Sequence, residues 1–150
     1  MDIGSKNTYP ANSLSNFSPH PFDIDGVHCN SMEGFLQSVK FESLDVQEYV
    51  CSLIGITAKK RGRTKDWRQS QTLYWRGTPI KRSSKEYQNL LDRAFTELYK
   101  NTKFKAALEA SGKATLTHDI GKIKETDTVL TRREFCERLT KLRDFGTLKE

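Results

Sequence analysis

Glu33, Gln37 and Lys40 fall at i, i+4 and i+7, so a helix through them stacks an acid, an amide and a cation on one polar stripe. Such a row can activate water, bind a ribose hydroxyl and meet a phosphate. A purely structural use competes with this. Glu33 stands at the second or third position of the expected helix, where a carboxylate caps the first turn and complements the dipole, and spacing alone favours that use.

Further along, nine cations between residues 59 and 82 face Asp66 alone, a net charge of +8. Residues 1–58 are net −5 and residues 83–150 net +3. A block of this density is a footprint for phosphate in a nucleic acid or nucleotide, or else a solvated loop. Trp67, Tyr74 and Trp75 lie inside it, and flat rings beside cationic groups suit a stacked base, although tryptophan more often serves packing. Gly62, between Lys60 and Arg63, lets the backbone approach a phosphate closely, but the stretch is neither a Walker loop nor a dinucleotide fingerprint. His118 and Asp119 follow the alternating Leu116-Thr117 pair, where a strand delivers side chains to a cleft edge.

Several classes of chemistry are disfavoured. No GxSxG, HExxH or Cys/His pair in a nucleophilic context is present, which argues against acyl transfer and metalloprotease chemistry. Cys29, Cys51 and Cys136 lack CxxC spacing, and His20, His28 and His118 lack metal spacing, so no metal and no cofactor are expected and a reducing cytoplasm fits. With 150 residues, 35% hydrophobic, 29% charged and a mean hydropathy of −0.69, the chain reads as one globular domain. Its apolar runs fall short of the ~20 residues that span a bilayer, and polar Met1 to Pro10 predicts no signal peptide.

The elements that must position these residues read as an α+β fold, a single helix-dominated domain with a small β-hairpin. Residues 1–13 form a flexible N-terminal arm, and 14–150 the domain. Pro21 to Cys29 alternates around Asp25-Gly26 as a tight hairpin. Met32, Phe35, Leu36 and Val39 begin a helix capped by Asn30 or Ser31; Val46, Tyr49, Val50 and Leu53 face inward from a second, ended by Gly55. Ser84 to Lys100 is the strongest helix, with Ser83 and Glu86 as a capping box. A short helix spans Lys103 to Ala110, a strand is expected near Thr115 to Thr117, and Thr131 with Glu134 caps the last helix.

Taken in order, these residues resemble a known family. Leu14-Ser15-Asn16-Phe17, Pro21-Phe22, Asp25-Gly26 and the run from Met32-Glu33 through Gln37-Ser38-Val39-Lys40-Phe41 are similar to the opening of the NADAR domain. Ala58 to Arg63, then Trp75, look like that family's next two blocks, and Leu116-Thr117-His118 and the final helix to Leu142-Arg143 continue the order, about residues 14 to 144 in all. The resemblance implies cleavage of an N-glycosidic bond; family activities include removing ADP-ribose from guanine and hydrolysing ribosylamine intermediates of riboflavin synthesis. It makes Glu33 the catalytic carboxylate and Trp75 the holder of base or sugar. Asn16, Gln37, Lys40 and Arg63 join the pocket, Phe17, Lys60, Gly62, Thr117 and Asp119 extend the substrate-binding set, and His118, Asp119 and Asp127, in that order, are candidates for a second catalytic group. Where many members carry a tryptophan-glycine pair and a glycine-rich stretch, residues 120–129 here read IGKIKETDTV.

The leading expectation is a metal-independent N-glycosidase that removes ADP-ribose from guanine in nucleic acid, since a polyanion gains more from a wide positive field than a small intermediate does. The alternatives are a riboflavin-intermediate N-glycosidase and a non-catalytic ADP-ribose or NAD-binding module that does not depend on Glu33. Expected partners are ADP-ribosylated nucleic acid or a nucleotide-like small molecule, with no membrane.

Overall fold

The computed structural model describes residues 1–149. Two hairpins and six helices follow one another along the chain. Strands β1 (Phe22–Ile24) and β2 (Val27–Cys29) pair antiparallel with Phe22 opposite Cys29, and Asp25-Gly26 turn the chain with φ of 50° and 78°. Positive φ at both central residues is the two-residue turn whose twist matches the strands.

Helix α1 (Met32–Ser38) is capped by Ser31, whose Oγ accepts from the Gly34 N–H at 3.0 Å and donates to the Leu53 carbonyl at 2.9 Å. Helix α2 (Leu44–Cys51) follows; its buried face is Gln47, Val50 and Cys51, not the expected Val46–Leu53 stripe, and Tyr49 is exposed. The burial of Gln47 is satisfied fully: its amide nitrogen reaches the Ser38, Phe41 and Tyr74 carbonyls and its oxygen accepts from the Arg76 N–H. Gly55 does not end α2. It opens helix α3 (Gly55–Gly62), which carries much of the basic run.

A second hairpin, absent from the sequence reading, joins β3 (Thr72–Trp75) to β4 (Thr78–Lys81) through Arg76-Gly77, with φ of 51° and 86°. Helix α4 (Lys85–Tyr99) buries Tyr87, Leu90, Leu91, Ala94, Phe95 and Leu98 and forms the middle of the core. Its cap is Ser84 rather than Ser83, because the Ser84 Oγ accepts from Tyr87 N–H at 3.1 Å. Helices α5 (Thr102–Ala110) and α6 (Arg132–Phe145) pack on it, and the Thr131–Glu134 capping box of α6 is present.

Residues 1–13, expected as an arm, lie against the domain: Ile3 is buried and its N–H donates to the Thr117 carbonyl at 2.8 Å. The strand expected at 115–117 is a single parallel bridge between Asp2 and Thr117. Among the described residues no helix is long and apolar enough to cross a membrane.

Candidate active site

The 15–17 segment, the face of α1 that carries Glu33, Leu36 and Gln37, the α3 surface, the 63–68 segment and the 118–130 segment enclose a cleft of about 910 Å³. Nine of the residues singled out from the sequence meet in it: Asn16, Phe17, Glu33, Gln37, Lys40, Gly62, Arg63, His118 and Asp127. Four do not line it. Trp75 packs its ring on Phe35 at 5.2 Å and donates its Nε1–H to Asp25 Oδ2 at 2.7 Å, on the core side of β3. The indole at the cleft is Trp67, 5% exposed. Lys60 is turned away because a helix advances 100° per residue, so Lys59, Gly62 and Arg63 share the cleft side of α3 at i, i+3 and i+4. Thr117 and Asp119 face Asp2 instead: the Thr117 Oγ1–H and the Asp119 N–H both donate to Asp2 Oδ1.

Glu33 is 9% exposed. Its side chain does not cap α1, since Ser31 does that work. It accepts a hydrogen bond from Gln37 Nε2 at 3.2 Å, and the Glu33 N–H donates to the Asn16 carbonyl at 3.0 Å, which ties the 15–17 segment to the start of α1. Burial lifts the Glu33 carboxyl above its ordinary range, against the opposing pull of the Gln37 hydrogen bond and the Lys59 and Lys40 charges. A carboxylate raised in this way is a stronger base than an exposed one.

Gln37 is held from the other side by Gly62. Its Oε1 is buried without a hydrogen-bond partner among the described residues, and a Cβ on Gly62 would overlap it. Gly34 allows a similar approach of α1 to the end of α2, since a Cβ there would stand 2.6 Å from the Leu53 carbonyl oxygen. Gly62→Ala is therefore expected to displace Gln37 from Glu33. The overlap costs about 1–3 kcal/mol, more than the ~1 kcal/mol that alanine adds to a helix, so urea unfolding should show a net loss.

The cleft holds Lys40, Lys59, Arg63, Lys65, Arg68 and Lys122 against Glu33, Asp66 and Asp127. Burial pulls Lys40 down to about 8, opposed by the Glu33 charge and reinforced by Arg68, Lys122 and Arg63. Lys40 is protonated below that value and loses its charge above it, so affinity of the cleft for inorganic pyrophosphate is expected to fall as pH rises through about 8, measured by titration calorimetry in a pH series. His118 Nδ1 lies 2.8 Å from the Ile3 carbonyl, an acceptor that requires Nδ1 to carry hydrogen, which fixes the ring against the N-terminal segment. Among the described residues, no group of three or more His, Cys, Asp or Glu side chains is placed to hold a metal ion.

The Glu33–Gln37–Lys40 row read from the sequence lies on the cleft; of the two indoles read there, Trp67 lines it and Trp75 does not, and Lys122 and Leu36 line it without having been singled out. The 59-62-63 spacing is the signal that separates Lys59 from Lys60.

Comparison with known proteins identifies the chain's family and fold. A protein of Enterobacteria phage T4, described as the uncharacterized 17.1 kDa protein in the Gp30-rIII intergenic region, is 36% identical over 147 residues, covering 96% of this chain and 97% of that one. The NMR structure of the E. coli protein YbiA, a NADAR-family protein, superposes with a TM-score of 0.59 at 19% identity, over 95% of this chain and 80% of that chain, and so shares the fold. Residues 8–144 match the family described as bacteriophage protein GP30.3, a NADAR-like group, and the chain belongs to it.

Proposed function

We propose that this chain is a metal-independent N-glycosidase that hydrolyses the bond between ADP-ribose and guanine in modified nucleic acid. One observation carries the reading: a buried carboxyl, Glu33, forms the wall of a cleft whose other ionic groups are mostly cations. Breaking a C1–N bond builds positive charge on the sugar, and a carboxylate beside it stabilises that charge and takes the proton of the attacking water. Lys40, Arg63 and Arg68 are suited to the pyrophosphate, with Arg63 and Arg68 able to grip it in two places. Trp67 offers the flat surface for base or sugar. The departing guanine nitrogen takes a proton, for which His118 is the nearest candidate by role.

The test is release of product from two substrates offered separately. A guanine-ADP-ribosylated oligonucleotide is expected to yield free ADP-ribose. Release of ribose 5-phosphate from a ribosylaminopyrimidine, with the oligonucleotide left intact, would reassign the chain to riboflavin intermediates.

A further inference from the structure

The mouth of the cleft carries a feature that small-ligand binding leaves unexplained. Ile120 is 79% exposed and Ile123 73% exposed, the first on the cleft wall and the second just outside it. They alternate with Lys122, which lines the cleft, and Lys124. The segment is held in place. The Gly121 N–H donates to the His118 carbonyl at 2.9 Å, Arg132 reaches the Gly121 carbonyl with Nε at 2.6 Å and the Lys122 carbonyl with its N–H at 3.0 Å, and the Gln71 side chain donates to the Thr126 carbonyl at 3.0 Å. Those bonds keep the backbone in register while both isoleucines point away from the core.

We infer that this loop is a wedge against stacked bases, so that the site takes its target from within a nucleic-acid duplex rather than from a free nucleotide. The inference rests on the proposed N-glycosidase reading and deepens it. Apolar side chains of this size, inserted beside a base step, unstack it, and cations on either side meet the flanking phosphates. Arg63, Lys65, Arg68 and Lys122 line the same cleft as Ile120, so the exposed apolar pair adjoins a cationic groove, the pattern that a strand of phosphates and flat base faces complements. Ile123 does not line the cleft, so a ligand held wholly inside it makes no use of that side chain. A lipid surface calls for a broader apolar face than two isoleucines.

The test compares guanine-ADP-ribosylated duplex oligonucleotide with the same modification on free guanosine monophosphate, using wild type, Ile123→Ser and the Ile120→Ser/Ile123→Ser double variant. Ile123→Ser is expected to lower kcat/KM on the duplex about fivefold and the double variant about tenfold or more, the scale of one lost base contact. The Ile123→Ser value on the mononucleotide should match wild type. A 2-aminopurine beside the modified base should brighten on binding wild type and stay dim with the double variant.

Equal losses on both substrates would overturn the wedge in favour of a lid, and no loss on either would overturn it outright. Loss of binding to anionic phosphatidylserine vesicles, with duplex turnover intact, would assign the loop to lipid instead. If wild type turns over neither substrate, the N-glycosidase reading fails, an outcome separate from failure of the wedge.

Discussion

Glu33→Gln is expected to lower kcat for ADP-ribose release by about 10³-fold while leaving ADP-ribose affinity within a few-fold of wild type. General base assistance supplies about 10²–10⁴ in rate, and the substitution removes it while keeping the side chain's size and its contact with Gln37. Single-turnover release and equilibrium binding measure the two quantities independently. If wild type and variant bind alike and neither turns over, only a ligand-binding module is left, whereas a variant that turns over like wild type would remove Glu33 from the catalytic role. The pH profile gives a second readout. Since burial holds the Glu33 carboxyl above its ordinary range, the acid limb of kcat/KM should lie above the usual carboxylate region and vanish in Glu33→Gln.

The second large effect is on stability. Arg82 is fully buried, and its guanidinium grips Glu134 with two bonds, Nη2 to Oε1 at 2.6 Å and Nη1 to Oε2 at 3.1 Å. Its Nε donates to the Thr128 carbonyl at 2.9 Å, and the group lies 4.9 Å over the Tyr87 ring. Arg82→Met would leave Glu134 half-buried with Gln88 and the Thr131 N–H, so a loss of about 3–5 kcal/mol is expected. For a chain of this size that is on the order of 10 °C in Tm, readable by calorimetry. Burial tends to raise the Glu134 carboxyl, but Arg82, the Thr131 N–H and Gln88 outweigh it and hold it low. The pair's contribution is thus present above the ordinary carboxylate range and lost as pH falls through the lowered value; in Arg82→Met the acid-dependent part that Arg82 supplies should disappear. Because Thr128 to Leu130 line the cleft, the same variant should also weaken ligand binding.

Legibility varied with how local the signal was. The Glu33–Gln37–Lys40 row was readable because one helix carries most of it, and the α6 capping box because both partners lie within three residues. Helix α3 was hidden: a glycine at each end and a run of cations resemble a solvated loop, and its packing against α1 is a long-range contact. The β3–β4 hairpin turns on Arg76-Gly77, without the Asn-Gly or Asp-Gly pair that marks such turns. Trp67 and Trp75 could not be ranked from composition, because both are buried against the core and only the long-range packing decides that Trp67 also borders the cleft. Arg82 looked like one more member of a charged run; only its partner 52 residues away makes it structural.

The division between the two indoles gives the chain a built-in optical reporter. Both tryptophans emit, but Trp75 is locked to Asp25 and Phe35 and does not line the cavity, whereas Trp67 borders it. Quenching or a spectral shift on mixing therefore tracks occupancy of the cavity in real time, without a dye or a tag, and stopped-flow traces can separate ligand arrival from bond cleavage.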